Sequence, residues 1–105
     1  VPQKFMDIQS YLKKHYQEKI TLDSLTDAFY ISKYHLAREY QRLFGTTVLN
    51  DLTLIRLSHA KRQLRFSTEN IEEIALSCGF QTSAYFIKVF KKYENMTPLE
   101  YRRKW

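Results

Sequence analysis

Very little in this sequence breaks or staples a chain. The 105 residues include two glycines (Gly45, Gly79), two prolines (Pro2, Pro98) and one cysteine, Cys78. So few turn residues exclude a β-sandwich or barrel, whose hairpins need them every ~8 to 12 residues. A lone cysteine cannot close an internal disulfide and fits a reducing, intracellular compartment; Cys78 reads as a small buried hydrophobe. No apolar run approaches the roughly 18 residues of a spanning helix, and the amino end lacks the charged-then-apolar pattern of a signal peptide. The expectation is a soluble, cytoplasmic chain with no membrane partner. It starts at Val1 without an initiator methionine and reads as a fragment or processed form. His15, His35 and His59 are scattered, with no pairing at ligand spacing, so no metal site is expected. No glycine-rich phosphate loop, Ser-His-Asp ordering or pocketed carboxylate pair appears either, so the sequence predicts no cofactor and no enzyme.

What is present is apolar surface and positive charge. Hydrophobic residues make up 44% and aromatics 15%, enough burial to offset chain entropy over one domain of this length. Lys and Arg number 17 against 11 Asp and Glu, a net charge of +6. That balance suits a polyanionic partner, with nucleic acid the first candidate.

Periodicity predicts an all-α chain of seven helices. Phe5, Ile8, Leu12 and His15/Tyr16 repeat at near-helical spacing from Gln3 to Tyr16. Thr21 caps a short helix with Leu22, Leu25, Ala28 and Phe29 on its apolar face, ending near Tyr30. Ser32 caps the next, with Leu36, Tyr40, Leu43 and Phe44 inward and Gly45 as its left-handed stop. A run from Thr47 to Phe66 carries Leu49, Leu52, Ile55, Leu57, Ala60 and Leu64 on its apolar side. Roughly 18 residues at ~1.5 Å each make this a strut of about 27 Å. Asn70 and Glu73 open a short helix through Ile71, Ile74, Ala75 and Cys78, stopped by Gly79. Thr82 caps a helix with Phe86, Val89, Phe90 and Tyr93 inward and Asn95 at a left-handed cap. Thr97-Pro98-Leu99-Glu100 is a capping box with proline at the first helical position.

The helices repeat. Leu22, Leu25 and Ile31 return 49 positions later as Ile71, Ile74 and Phe80; Ser32, Leu36, Arg38 and Gly45 return 50 later as Thr82, Phe86, Lys88 and Asn95. The pattern is two helix-turn-helix subdomains, about 3–46 and 70–105, joined by a long linker helix, about 47–66, in one DNA-binding domain. A helix-turn-helix lays its second helix in the major groove, and the charges agree. Asp23, Asp27, Glu72 and Glu73 lie on the first helix of each pair, whereas Lys33, Arg38, Arg42, Lys88, Lys91 and Lys92 lie on the second. The outward faces read Tyr34, Ala37, Arg38 and Gln41, and Ala84, Ile87, Lys88 and Lys91. Successive major-groove faces are about 34 Å apart, of the order that the strut and the units at its ends can span.

Over essentially its whole length the chain resembles the AraC/XylS-type bacterial transcription regulators. The second half is similar to the family signature at Ile71, Ile74-Ala75, Gly79-Phe80, Tyr85-Phe86, Lys88, Phe90-Lys91-Lys92, Thr97-Pro98 and Tyr101-Arg102. The first half is similar at Leu25, Ser32, Leu36, Arg38, Phe44-Gly45, Arg56, Ala60 and Leu64. The resemblance implies sequence-specific binding of double-stranded DNA, with base edges met by Tyr34, Ala37 and Arg38 and by Ser83, Ala84, Ile87 and Lys88, and the outward face adds Gln41 to the expected base readers. It implies backbone contacts from Ser32, Lys33, His35, Arg42, Thr82, Lys91 and Lys92. It also implies RNA polymerase as a partner, and an effector or dimerisation domain lying outside this chain. Ala84 and Ile87 can offer a thymine methyl only apolar contact, so the first unit, with Arg38 able to fork onto guanine, is expected to discriminate bases more strongly. Tyr30 stands where the second copy has Gly79, which forces either strain or a different turn. The competing reading is a helical protein–protein interaction module presenting the same basic face to an acidic partner.

Overall fold

The computed structural model describes all 105 residues. Its elements are α1 (Gln3–His15), α2 (Leu22–Phe29), α3 (Lys33–Phe44), α4 (Val48–Phe66), α5 (Ile71–Ser77), α6 (Ser83–Glu94) and α7 (Pro98–Lys104), with no strand. The boundaries follow from local chemistry. Thr21, Ser32, Asn70, Thr82 and Thr97 each accept the backbone N–H three residues on, satisfying a donor the helix itself cannot. Thr47 does the same for α4, accepting from Asn50 N–H at 3.1 Å. At the far ends, Gly45 and Asn95 take left-handed conformations (φ 74° and 62°) and donate to Gln41 and Lys91 carbonyls at 2.9 Å.

The chain forms two compact units, Val1–Ile55 and Arg56–Trp105, each with its own core. Phe5, Ile8, Leu12, Leu25, Leu36, Tyr40, Val48 and Leu52 belong to the first. Leu57, Ala60, Leu64, Ile74, Ala75, Cys78, Phe80, Phe86, Val89 and Phe90 belong to the second. The repeat extends further than two helices. In the first unit Phe5, Ile8 and Leu12 of α1 pack over the helix pair; in the second Leu57, Ala60 and Leu64 of α4 do so at the same spacing. Thr47-Val48-Leu49 at the start of α4 recurs 50 positions later as Thr97-Pro98-Leu99 at the start of α7, with Val48 and Pro98 both buried. The front of α4 therefore closes the first core and its rear opens the second. Two apolar residues expected inside, Ala28 and Leu49, are exposed instead. α2 buries only the stripe around Leu25, and Leu49 lies off the Val48–Leu52 (i, i+4) stripe by which α4 meets the first core.

The two turns share a hydrogen-bond pattern, and the tyrosine in the first meets it by strain. In each, an N–H reaches back five residues, Ile31 to the Thr26 carbonyl (3.3 Å) and Phe80 to the Ala75 carbonyl (3.0 Å), 49 positions apart. Gly79 takes φ 96° without penalty, while Tyr30 accepts φ 53°. A side chain in this region costs roughly 1–2 kcal/mol. Tyr30 is 90% exposed and recovers little by packing. Tyr30→Gly is therefore expected to stabilise the protein by about 1 kcal/mol, raising the melting temperature by roughly 4–8 °C in a domain of this size. A calorimetric scan showing no rise would remove the strain from the account.

Candidate nucleic-acid interface

The outer faces of α3 and α6 are built by what their inner faces bury. Leu36 and Tyr40 point into the first core, which leaves Tyr34, Ala37, Arg38 and Gln41 exposed on the opposite side. Phe86, Val89 and Phe90 point into the second, leaving Ala84, Ile87, Lys88 and Lys91 exposed. Ser83 is half-buried. Ser32, Lys33, His35 and Arg42 border the first face; Thr82, Lys91 and Lys92 border the second, and all of them are exposed. Of the predicted residues, all but the half-buried Ser83 are therefore solvent-exposed.

Each helix is held firmly from behind. The Tyr40 hydroxyl donates to Asp51 Oδ2 in the first turn of α4, tying the middle of α3 to its neighbour. Burial, reinforced by that carboxylate, raises the Tyr40 hydroxyl far above the ordinary phenol range, so it stays a neutral donor. In the second unit the rings of Phe80, Phe86, Phe90 and Tyr101 follow one another at centroid separations of 5.0, 5.7 and 5.5 Å. Such pairs stabilise beyond simple area burial.

The cations on the two faces are in different states. Lys33 Nζ lies 2.8 Å from Asp23 Oδ1 on α2. Arg42 forks onto Glu39 with contacts of 2.7 and 3.1 Å. That hydrogen bond holds the Glu39 carboxyl below the usual carboxylate range and Arg42 above its ordinary value. Exposed pairs of this kind are worth about 0–1 kcal/mol, so neither cation is tightly committed to its partner. Arg38 makes no ion pair; its Nη1 donates to the Tyr34 hydroxyl at 3.3 Å. Lys88, Lys91 and Lys92 also make none, and Lys92 lies over the Tyr93 ring at 5.6 Å. Both α3 and α6 begin at a hydroxyl cap: Ser32 accepts from His35 N–H and Thr82 from Tyr85 N–H, each at 3.1 Å. The cap uses the oxygen as acceptor and leaves its O–H free to donate, beside the unpaired N–H groups of the first turn. An anion fits there.

Several positioning contacts escape a sequence reading. Tyr34–Arg38 and Glu39–Arg42 sit at helical spacings of four and three, a signal that was available. Arg102 gave no such signal. Its guanidinium donates to the carbonyls of Leu64 (3.0 Å), Ser67 (3.2 Å) and Glu69 (2.6 Å), partners 33 to 38 positions away. It caps the end of α4 and fixes the link into α5.

Known proteins share this arrangement. A family model described as a helix-turn-helix domain matches residues 25–104. The bifunctional transcriptional activator/DNA repair enzyme AdaA of Bacillus subtilis is 34% identical over 91% of this chain and 46% of its own length. Its enzyme part lies outside the match. The C-terminal domain of AraT, a response regulator from Geobacillus stearothermophilus, superposes with a TM-score of 0.96 at 30% identity, over 99% of this chain and 87% of that one. The DNA-binding domain of AdpA, solved in complex with a target DNA, shares the fold with a TM-score of 0.91 at 24% identity, over 95% and 90% of the two chains. This chain spans less than half the length of the curated relatives it matches. No helix is long and apolar enough to cross a membrane. A doubled helix-turn-helix, a matching family model over most of the sequence and structural neighbours of the same architecture lead to one assignment: the chain belongs to the AraC/XylS-type helix-turn-helix family.

Proposed function

We propose that this chain is the sequence-specific, double-stranded DNA-binding domain of a cytoplasmic transcription regulator, with α3 and α6 in successive major grooves of one duplex. The observation that carries the reading is the duplication: each unit sets its second helix outward with exposed polar and cationic side chains, against a first helix bearing acids. α4, at 19 residues and about 1.5 Å each, is roughly 28 Å long, short of a groove repeat of about 34 Å by itself, so reaching a second groove also uses the width of the units. Base edges are met by Tyr34, Ala37, Arg38, Gln41, Ser83, Ala84, Ile87 and Lys88. Ser32, Lys33, His35, Arg42, Thr82, Lys91 and Lys92 meet phosphates. The domain contributes binding and no catalysis. An effector or dimerisation domain elsewhere in the regulator controls it, and RNA polymerase is its partner at the promoter, as in the family it belongs to.

The two classes of contact separate experimentally. Arg38→Ala is expected to weaken cognate binding by ~1–3 kcal/mol and relax base preference, while barely affecting random duplex. Lys92→Ala is expected to weaken all duplexes alike and lower the slope of log K against log salt by about 1. Retardation of a selected target and of random genomic fragments, at several salt concentrations, checks both. Equal losses on the two duplexes for Arg38→Ala would refute its role. Lack of salt-sensitive retention by the unaltered chain would replace the reading with a protein-interaction module.

A further inference from the structure

We infer that the two units read bases by different chemistry, the first taking the acceptor edge of a guanine through an Arg38 side chain pre-set by Tyr34, the second taking thymine methyl groups through Ala84 and Ile87. The inference rests on the DNA-binding reading and adds the kind of half-site each unit accepts.

The first unit's outer face carries Lys33, Arg38 and Arg42, of which Lys33 and Arg42 are neutralised by Asp23 and Glu39. Arg38 is held by a neutral group. Its guanidinium donates to the Tyr34 hydroxyl at 3.3 Å and lies 6.0 Å from the ring centre, with Tyr34 itself 72% exposed. A phenol fixes the direction of the fork without cancelling its charge, so less side-chain entropy is lost when the remaining N–H donors engage a base. The major-groove feature that accepts two parallel N–H donors is guanine O6 with N7. Tyr34, besides its own place on the base-reading face, thus positions Arg38.

Fifty positions on, Tyr34, Ala37 and Arg38 become Ala84, Ile87 and Lys88. There is no phenol and no fork. Ala84 and Ile87 follow at i and i+3, both exposed, beside a Tyr85 that is 54% exposed, although α6 buries Phe86, Val89 and Phe90 on its other side. In the major groove the apolar complement to such a strip is the thymine 5-methyl. Lys88 adds charge as a single point and carries no bidentate code.

The test uses a duplex selected from a random pool by the 105-residue chain, then resynthesised with single 7-deazaguanine or deoxyuridine replacements. These remove one guanine N7 or one thymine methyl without disturbing pairing. One guanine in one half of the target should lose about tenfold in affinity when N7 is removed. That penalty should vanish in Arg38→Ala and shrink in Tyr34→Phe, which keeps the ring and leaves the salt slope unchanged. Thymines in the other half should lose about fourfold per methyl, a penalty indifferent to Arg38→Ala and reduced by Ile87→Ala. N7-dependence in both halves, or no deoxyuridine effect, would overturn the division while leaving DNA binding intact. A Tyr34→Phe variant with an undiminished N7 penalty would overturn the positioning role. Failure to retain any duplex would overturn this inference and the DNA-binding reading together.

Discussion

Replacing Phe90 with alanine is expected to destabilise the second unit by about 3–5 kcal/mol and to uncouple its unfolding from that of the first. Phe90 is fully buried between Phe86 and Tyr101, so truncation removes both ring contacts and leaves a cavity in the core to which α4, α5, α6 and α7 contribute. A domain of this length has a total stability of only about 5–15 kcal/mol, and here the loss falls on one of two cores that share no residue. The first core keeps all its contacts. Trp105, the sole tryptophan, lies in the second unit with the Arg65 guanidinium 4.0 Å from its ring and Tyr101 beside it, so its fluorescence reports on that unit alone. In Phe90→Ala the tryptophan transition should move to much lower urea, while far-ultraviolet dichroism retains a later phase from the first unit. A single coincident transition near the original midpoint would show that the cores do not act separately.

Arg102→Ala carries the second large expectation, a loss of about 2–3 kcal/mol. The residue lies in α7, yet its donors satisfy carbonyls at the end of α4 and in the link to α5, where no helical N–H remains to pair them. Charge-assisted hydrogen bonds are worth about 1.5–3 kcal/mol, and part of the loss returns as water reaches the exposed carbonyls. Lysine should restore little, since one ammonium cannot span carbonyls approached from different sides by a planar fork. Urea denaturation of both variants checks the magnitude, and amide exchange should quicken first around Ser67 to Ile71. An Arg102→Ala variant within 0.5 kcal/mol of the parent would make the contact incidental.

These residues also mark how far the sequence alone reaches. Helix starts were legible because Thr21, Ser32, Asn70, Thr82 and Thr97 announce themselves through a local rule, side-chain oxygen to backbone N–H within one turn. The turn at Tyr30 was legible as a problem: the repeat set a tyrosine where its copy has glycine, and the backbone resolves it by accepting φ 53° instead of changing the turn. Two things were harder to see. The repeat reaches into α4 and α7, where Thr47 and Leu49 match Thr97 and Leu99, but Val48 and Pro98 between them differ in chemistry and their equivalence shows in their shared burial. Arg102 and the Tyr40–Asp51 link join residues far apart in sequence or on separate helices, where no period connects donor to acceptor. On the reading faces, side-chain direction followed from helical periodicity; the pairing of Lys33 and Arg42 with acids, and of Arg38 with a phenol, needed distances.

The central claim is that one chain engages one duplex twice from the same side, and spacing tests it most directly. A target selected from a random pool should contain two half-sites about 10–10.5 base pairs apart, centre to centre. Inserting five base pairs between them turns one half-site to the far side of the helix, and affinity should fall to that of a duplex holding a single half-site. Undiminished affinity after the insertion would contradict the account.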